Sequence, residues 1–369
     1  MSDGDVSEGE HRTAGKLRMA GTKRSGAGCL RWLGRVALGG VFLLLGLAAI
    51  GAIYQAIASA RDAKLYKPVN QMVDVNGIQM RLDCRGSGSP TVVLEAGASI
   101  FSIAWGRIQY DVAKFARVCS YDRAGLGWSD SVRETQSPQQ VAEMLHTLLA
   151  NGGEKPPYLM VGHSLGGIYV RAFAALYLQD VAGMVLVDSS HENQNQLLPA
   201  EFVKLNDTQM FAIRFCQAAA PFGLVRAVKM MDSLVAVFQL TEEEKRPLLA
   251  AMNRTTYCGA AARELDMFNS YTSQPRELAS LGDMPLIVLT SGYTAQEMYA
   301  ELPAAFQSQL TIEVVQAEVD AWDAMQEELA GLSTRGKRIV VRESGHNIQL
   351  DAPEVVIDAV WEVFEQAAK

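Results

Sequence analysis

Ser164 lies in Gly162-His163-Ser164-Leu165-Gly166, between the apolar run Tyr158–Val161 and a stretch of small residues that reads as a helix start. A serine hydroxyl becomes a useful nucleophile when a sharp strand-to-helix bend exposes it and a base takes its proton. Such a bend crowds the residues two positions either side, so both must be small. The helix that follows points free N–H groups and its positive dipole end at an oxyanion forming on an attacked carbonyl. A Gly/Ser-rich turn that merely packs well would leave the same letters. The flanking strand and helix favour the chemical reading.

Histidine titrates in the range a base needs, and the chain has five: His11, His146, His163, His191 and His346. His11 is in the N-terminal tail, His146 is on an amphipathic helical pattern, and His163 is inside the bend. His346 follows the last apolar strand, after Ser344-Gly345, at the strand edge where open α/β sheets collect their active sites. It is the expected base, with His191 in reserve. This chemistry needs no cofactor and no metal.

The elements that must position these residues follow from periodicity. Met72–Val75 and Gln79–Cys84 flank Asn76-Gly77, a strong hairpin signal. Thr91–Glu95, Val118–Tyr121, Tyr158–Val161, Gly183–Val187, Leu286–Thr290 and Arg338–Val341 are nearly continuous apolar runs, as in a parallel sheet covered on both faces. Helical patterns near Ser102–Phe115, Pro138–Leu149, Gly167–Leu178, Ala321–Leu332 and Pro353–Ala368 alternate with them. The fold class is therefore α/β, a mostly parallel doubly wound sheet. Residues 192–281 break the rhythm with helical patterns alone and read as a cap inserted into a core of 61–191 and 282–369.

With these segments in view, the sequence resembles the α/β-hydrolase superfamily from about residue 70 to the C-terminus. Beside the Gly-x-Ser-x-Gly bend, Leu94-Glu95-Ala96-Gly97-Ala98 with Trp105 beyond it sits where such enzymes carry a strand ending in His-Gly-x. Tyr121-Asp122-Arg123-Ala124-Gly125-Leu126-Gly127-Trp128-Ser129 is similar to their Asp-x-Arg-Gly-x-Gly-x-Ser turn. Gly345-His346 with Leu350-Asp351-Ala352-Pro353-Glu354 is similar to their histidine loop. The resemblance implies an oxyanion hole from the backbone amides of Ala98 and Leu165. Asp122 and Arg123 read as a structural pair bracing the site. The acid of most such enzymes follows the strand before the histidine, but Ser291-Gly292-Tyr293-Thr294-Ala295-Gln296-Glu297 holds no Asp there. In some relatives the carboxylate moves to the end of the strand after the nucleophile helix, which here is Asp188. Glu297, Asp320 and Asp323 stay open as alternatives, and Asp188 could instead be a turn or N-cap residue. Epoxide hydrolase and haloalkane dehalogenase relatives place Asp at the nucleophile position, so Ser164 argues against their chemistry.

The resemblance implies a serine hydrolase acting on a carboxylic ester or related acyl bond. A non-catalytic receptor or scaffold of the same fold, and cofactor-free haloperoxidase activity, are the alternatives. Met210, Phe211, Phe222, Leu224, Met230, Met231, Phe238, Met252 and Met267 in the insertion suggest a small apolar acyl substrate, though an ordinary helical core would use the same residues. Residues 1–35 carry a net charge of +3 and no apolar period, and read as a disordered cytoplasmic tail. Val36–Ala60 approaches the roughly 20 apolar residues that span a bilayer. The basic flank before it places the enzyme domain outside the cytoplasm on a single-pass anchor. Cleavage near Ala60, after Ala58-Ser59-Ala60, would secrete the domain instead, and a buried core helix is a third reading. Residues 36–369 carry −11, which brings the chain to −8 and argues against phosphate-neutralising nucleic-acid binding. Four of the five cysteines fall in the exported part. They are expected to pair as Cys84–Cys119 and Cys216–Cys258, each within one structural unit, or to remain free thiols.

Overall fold

Asn76 and Gly77 both take positive φ, 55° and 89°, the conformation a two-residue hairpin turn demands, and they fold β1 (Gln71–Val75) onto β2 (Ile78–Arg85) with Val75 opposite Ile78. In the computed structural model, which describes residues 26–367 except 69, 237 and 239, this hairpin begins an eight-stranded sheet. The other strands are β3 (Thr91–Glu95), β4 (Val118–Tyr121), β5 (Tyr158–His163), β6 (Val181–Val187), β7 (Leu286–Ser291) and β8 (Gly336–Val341). Their order is β1-β2-β4-β3-β5-β6-β7-β8, antiparallel only at the β1–β2 and β2–β4 pairs.

The continuous apolar runs arise because both faces are covered. Alternate residues of each strand enter different cores. Met160, Met184, Leu186 and Val288 pack on one face, and Leu159, Val161, Val185, Val187, Ile287 and Leu289 on the other. The expected helices form, with shifted ends. The pattern near Ala321–Leu332 belongs to a longer helix, Ile312–Ala330, and Ser102–Phe115 splits into a 3₁₀ turn and the helix Gly106–Val112. Both expected cysteine pairs are bonded. Cys84–Cys119 joins β2 to β4, and Cys216–Cys258 joins the helices Ala200–Ala219 and Tyr257–Thr272.

Between β6 and β7 every regular element is helical, with helices spread over Gln194–Thr272. Cys216, Val225, Met231, Val235, Leu248, Met252 and Tyr257 form a core there with Phe101 and Leu126. Of the apolar residues expected to line a cavity, Met231, Met252 and Met267 are buried, whereas Phe211, Phe222 and Leu224 are exposed.

The described chain divides into two units between Ala49 and Ile50, and the helix Gly26–Leu65 contributes to each. Residues 26–35, expected to be disordered, are helical; residues 1–25 of that tail lie outside the described residues. The most apolar 18 residues of this helix have mean hydropathy 2.5, and large apolar side chains from Leu30 through Ile57 are exposed. One face of the end of the expected span, Ile50–Ala60, also has partners in the second unit. Buried Gln55 donates to the Asn253 carbonyl at 2.8 Å, and Arg226 pairs with Asp62 at 2.6 Å just beyond. A Cβ on Gly51 would meet the Phe222 carbonyl oxygen at 2.2 Å. The cause is chemical: Gln55 and Asp62 are polar groups that a bilayer core would leave unpaired.

Candidate active site

Ser164 closes β5 and opens the helix Leu165–Leu176 in φ 52°, ψ −125°, a strained conformation for a residue with a side chain. The bend is tight because glycine flanks it. A Cβ on Gly162 would meet the Gly166 carbonyl oxygen at 2.7 Å, and one on Gly166 would meet the Glu95 carbonyl oxygen at 2.5 Å. Ser164 accepts hydrogen bonds at its carbonyl from Gly167 N and Ser190 N. The loop after β3 passes directly over the bend, where a Cβ on Gly97 would lie 3.3 Å from the Ser164 Cβ. The backbone amides of Leu165 and Ala98 have no acceptor among the described residues. Two free donors thus flank the serine, as an oxyanion would require.

Arg123 holds that loop. Its guanidinium is buried and donates to the carbonyls of Ala96 and Gly97, each at 2.7 Å, and of Ile100 at 3.2 Å. Its charge is met by Glu95 and by Glu264, both at 2.6 Å. Glu264, on the inserted helix Tyr257–Thr272, also accepts from the Ser99 amide at 2.7 Å. Burial raises the Glu95 carboxyl pKa against the pull of Arg123. Asp122 accepts from the Ser102 and Trp128 amides, so the bracing pair performs the structural work read from the sequence.

At the ends of β6 and β8, Asp188 and His346 meet. His346 donates from Nδ1 to Asp188 Oδ2 at 2.7 Å. Asp188 takes φ 41°, and its Oδ1 accepts from Trp322 Nε1 at 2.9 Å and from the Ser291 amide at 2.8 Å. Burial draws the His346 pKa down, but the Asp188 hydrogen bond and charge, with Glu318 beyond, outweigh it and raise it above the ordinary value. His163 differs. Its Nε2 donates to the His346 carbonyl at 3.0 Å, with the two rings 4.8 Å apart. Burial, then repulsion from His346, pushes its pKa down to about 3. His163 therefore stays neutral and ties the serine bend to the histidine loop.

Ser164, Asp188 and His346 share the carboxyl edge of the sheet. Among the described residues no hydrogen bond joins the Ser164 hydroxyl to the His346 ring. The alternative acids lie elsewhere. Glu297 closes a capping box with Thr294, Asp320 accepts from Gln316, and Asp323 pairs with Arg338. Each is engaged because its helix start or surface supplies a nearer donor than the imidazole. His191 is buried, accepts from the Asn193 amide and faces Glu328; His146 pairs with Asp180. Sequence reasoning missed Trp322, Glu264 and Glu318, which reach the site from helices whose pattern shows amphipathicity but not the tertiary partner.

A cavity of about 440 Å³ opens beside His346, lined by Asp188, Tyr293, Glu318 and Trp322, with Leu198, Phe202 and Val203 from the start of the insertion. None of the nine apolar insertion residues singled out from the sequence lines it.

A profile of the alpha/beta hydrolase family matches residues 87–359. Protein YqjL of Bacillus subtilis is 25% identical over 282 residues, covering 76% of this chain and 85% of its own. Among solved structures, a thermophilic esterase from Thermogutta terrifontis superposes with TM-score 0.55 at 18% identity, over 81% of this chain and 97% of its own. An epoxide hydrolase from Bacillus megaterium does so with TM-score 0.56 at 15% identity, over 80% of this chain and all of its own. The sheet order, the helical insertion between β6 and β7 and these matches agree, and the chain belongs to the alpha/beta hydrolase family.

Proposed function

We propose that the chain is a membrane-anchored serine hydrolase that cleaves a carboxylic ester, or a related acyl bond, of an apolar substrate through an acyl-enzyme on Ser164. The observation that carries this reading is the 2.7 Å Asp188–His346 hydrogen bond at the sheet edge that also holds the strained, half-buried Ser164 bend. In this mechanism Ser164 Oγ attacks the carbonyl carbon while His346 takes its proton. The free amides of Ala98 and Leu165 stabilise the tetrahedral oxyanion. His346 returns the proton to the leaving alcohol, and water repeats the sequence to release the acid. Asp188 holds the imidazole and stabilises its charged form. The serine–histidine hydrogen bond of such enzymes often tightens only with substrate bound.

The reading assigns residues 192–281 as a cap over 61–191 and 282–369. It places the bilayer segment in Val36–Ala60, the apolar part of the helix that follows the basic flank with Arg31 and Arg35. Hydrolysis of a chromogenic ester series of increasing acyl length, by the detergent-solubilised full chain, tests it. Wild type should turn over several members, and Ser164→Ala should lose about 10⁴-fold or more of kcat/KM. Equal rates for both proteins would overturn the assignment, as would absence of turnover by folded wild type.

A further inference from the structure

The cavity beside His346 has a charge pattern that acyl chemistry does not explain. Its lining carries Asp188, Glu301, Glu318 and Asp323 and, among the described residues, no Lys or Arg. Three of these carboxylates are accounted for: Asp188 serves His346, Trp322 and Ser291, Asp323 pairs with Arg338, and Glu301 interacts with the Tyr293 hydroxyl. Glu318 is different. It is 6% exposed, and among the described residues no hydrogen bond or ion pair engages its carboxylate. Trp322 lies one turn further along the same helix, and Tyr293 faces the cavity from the loop after β7.

A buried carboxylate without a donor is costly unless something supplies positive charge. Burial and then the nearby Asp188 charge raise the Glu318 pKa, against the pull of His346, to about 7. A bound cation would relieve both effects. Aromatic faces beside an acidic group also favour organic cations over metal ions, because the ring quadrupole attracts a diffuse positive charge while the apolar wall accepts its alkyl groups. Leu198, Phe202, Val203 and Met298 supply that wall.

We propose that this cavity binds an organic cation, an amino or alkylammonium group carried by an otherwise apolar ester, with Glu318 as its counter-ion and Trp322 and Tyr293 as its aromatic walls. The inference rests on the serine-hydrolase reading for its link to turnover, but the binding site stands by itself. Two pairs of esters test it with the solubilised full chain. In one the charge is on the acyl side: 4-nitrophenyl 4-(trimethylammonio)butanoate against its uncharged isostere 4-nitrophenyl 5,5-dimethylhexanoate. In the other it is on the alcohol side: butyrylcholine against 3,3-dimethylbutyl butyrate.

The cationic member of at least one pair should have the higher kcat/KM, by about tenfold or more. Glu318→Gln should bring that ratio near one, and Glu301→Gln should lower it less. Ratios at or below one in both pairs would overturn the proposal, as would a preference that survives Glu318→Gln. Calorimetric titration with tetramethylammonium chloride reads the site without turnover. Saturable binding to wild type that is lost in Glu318→Gln supports the site even if neither ester is cleaved, and that outcome would overturn only the hydrolase reading. Ester turnover with no cation preference and no binding would overturn only the cation site.

Discussion

The eight-stranded sheet and the helical insertion are built on opposite principles. The sheet buries apolar side chains on both faces, so its strand ends are fixed in space to the precision of a packed core. The insertion keeps a smaller core and turns Phe211, Phe215 and Phe222 to its surface, with Phe211 76% exposed. Ser164, Asp188 and His346 all sit at strand ends, whereas Phe202, Glu318 and Trp322 come from the helices around them. The difference teaches a division of labour. The rigid part holds the groups that must meet within hydrogen-bonding distance, and the helical shell decides what reaches them.

Substitutions can break this comparison, beginning with the strand ends. Asp188→Asn keeps the shape but offers Nδ1–H of His346 an ambiguous partner, and should lower kcat by about 10²–10⁴-fold. Near-wild-type turnover of a folded Asp188→Asn protein would remove Asp188 from the proposed machinery. Glu264→Ala tests one place where the insertion grips the sheet-edge loop, the Tyr257 hydroxyl on the Ser99 carbonyl being another. It leaves the buried Arg123 short of a partner, and should destabilise the chain by about 3–5 kcal/mol, read as a fall in Tm. Trp322→Phe deletes a single donor to Asp188 and should cost about tenfold in kcat. At the surface of the insertion, Phe211→Ser should shift stability by no more than about 0.5 kcal/mol.

The two neighbouring histidines make a pH prediction with opposite signs. His346 must be neutral to act as base, and its pKa is raised. Activity should therefore climb with pH through a midpoint above about 6.5, and that midpoint should fall in Asp188→Asn, whose hydrogen bond no longer favours the charged ring. The same contact stabilises the fold below the unfolded pKa and fades as pH rises through the folded one. His163 is buried neutral with its pKa near 3. The unfolded chain takes up its proton below about 6.5 and the folded chain does not, so stability is lost as pH falls from 6.5 toward 3. Conversion of His163 to Asn should flatten the acid limb of a Tm-against-pH curve.

How much of this was legible in the sequence follows the same division. Strands β3 to β7 announced themselves as apolar runs because a two-sided core leaves little room for polar residues, whereas β1 and β2 were legible through the Asn76-Gly77 turn. The Gly162-x-Ser164-x-Gly166 spacing was legible because steric crowding at the bend forbids larger residues there. Asp188 could be singled out by its place at a strand end. Trp322 and Glu264 could not, because nothing in an amphipathic helix names the residue it will touch 134 or 141 positions away. The long apolar helix was legible by hydropathy, but its hold on the insertion through Gln55 and Asp62 was not, since two polar residues read as flank rather than contact. The cavity also escaped the sequence: the Met-rich stretch suggested its walls, and Leu198, Phe202 and Val203 form them instead.

One experiment bears most directly on the central claim, that the hydroxyl at the β5 bend is the group activated by the histidine loop. The solubilised full chain is treated with a fluorophosphonate, digested, and the modified residue located by mass spectrometry. A single adduct on Ser164, abolished in His346→Ala although that protein keeps its wild-type Tm, is the result expected. An adduct elsewhere, or none on folded wild-type protein, would contradict it.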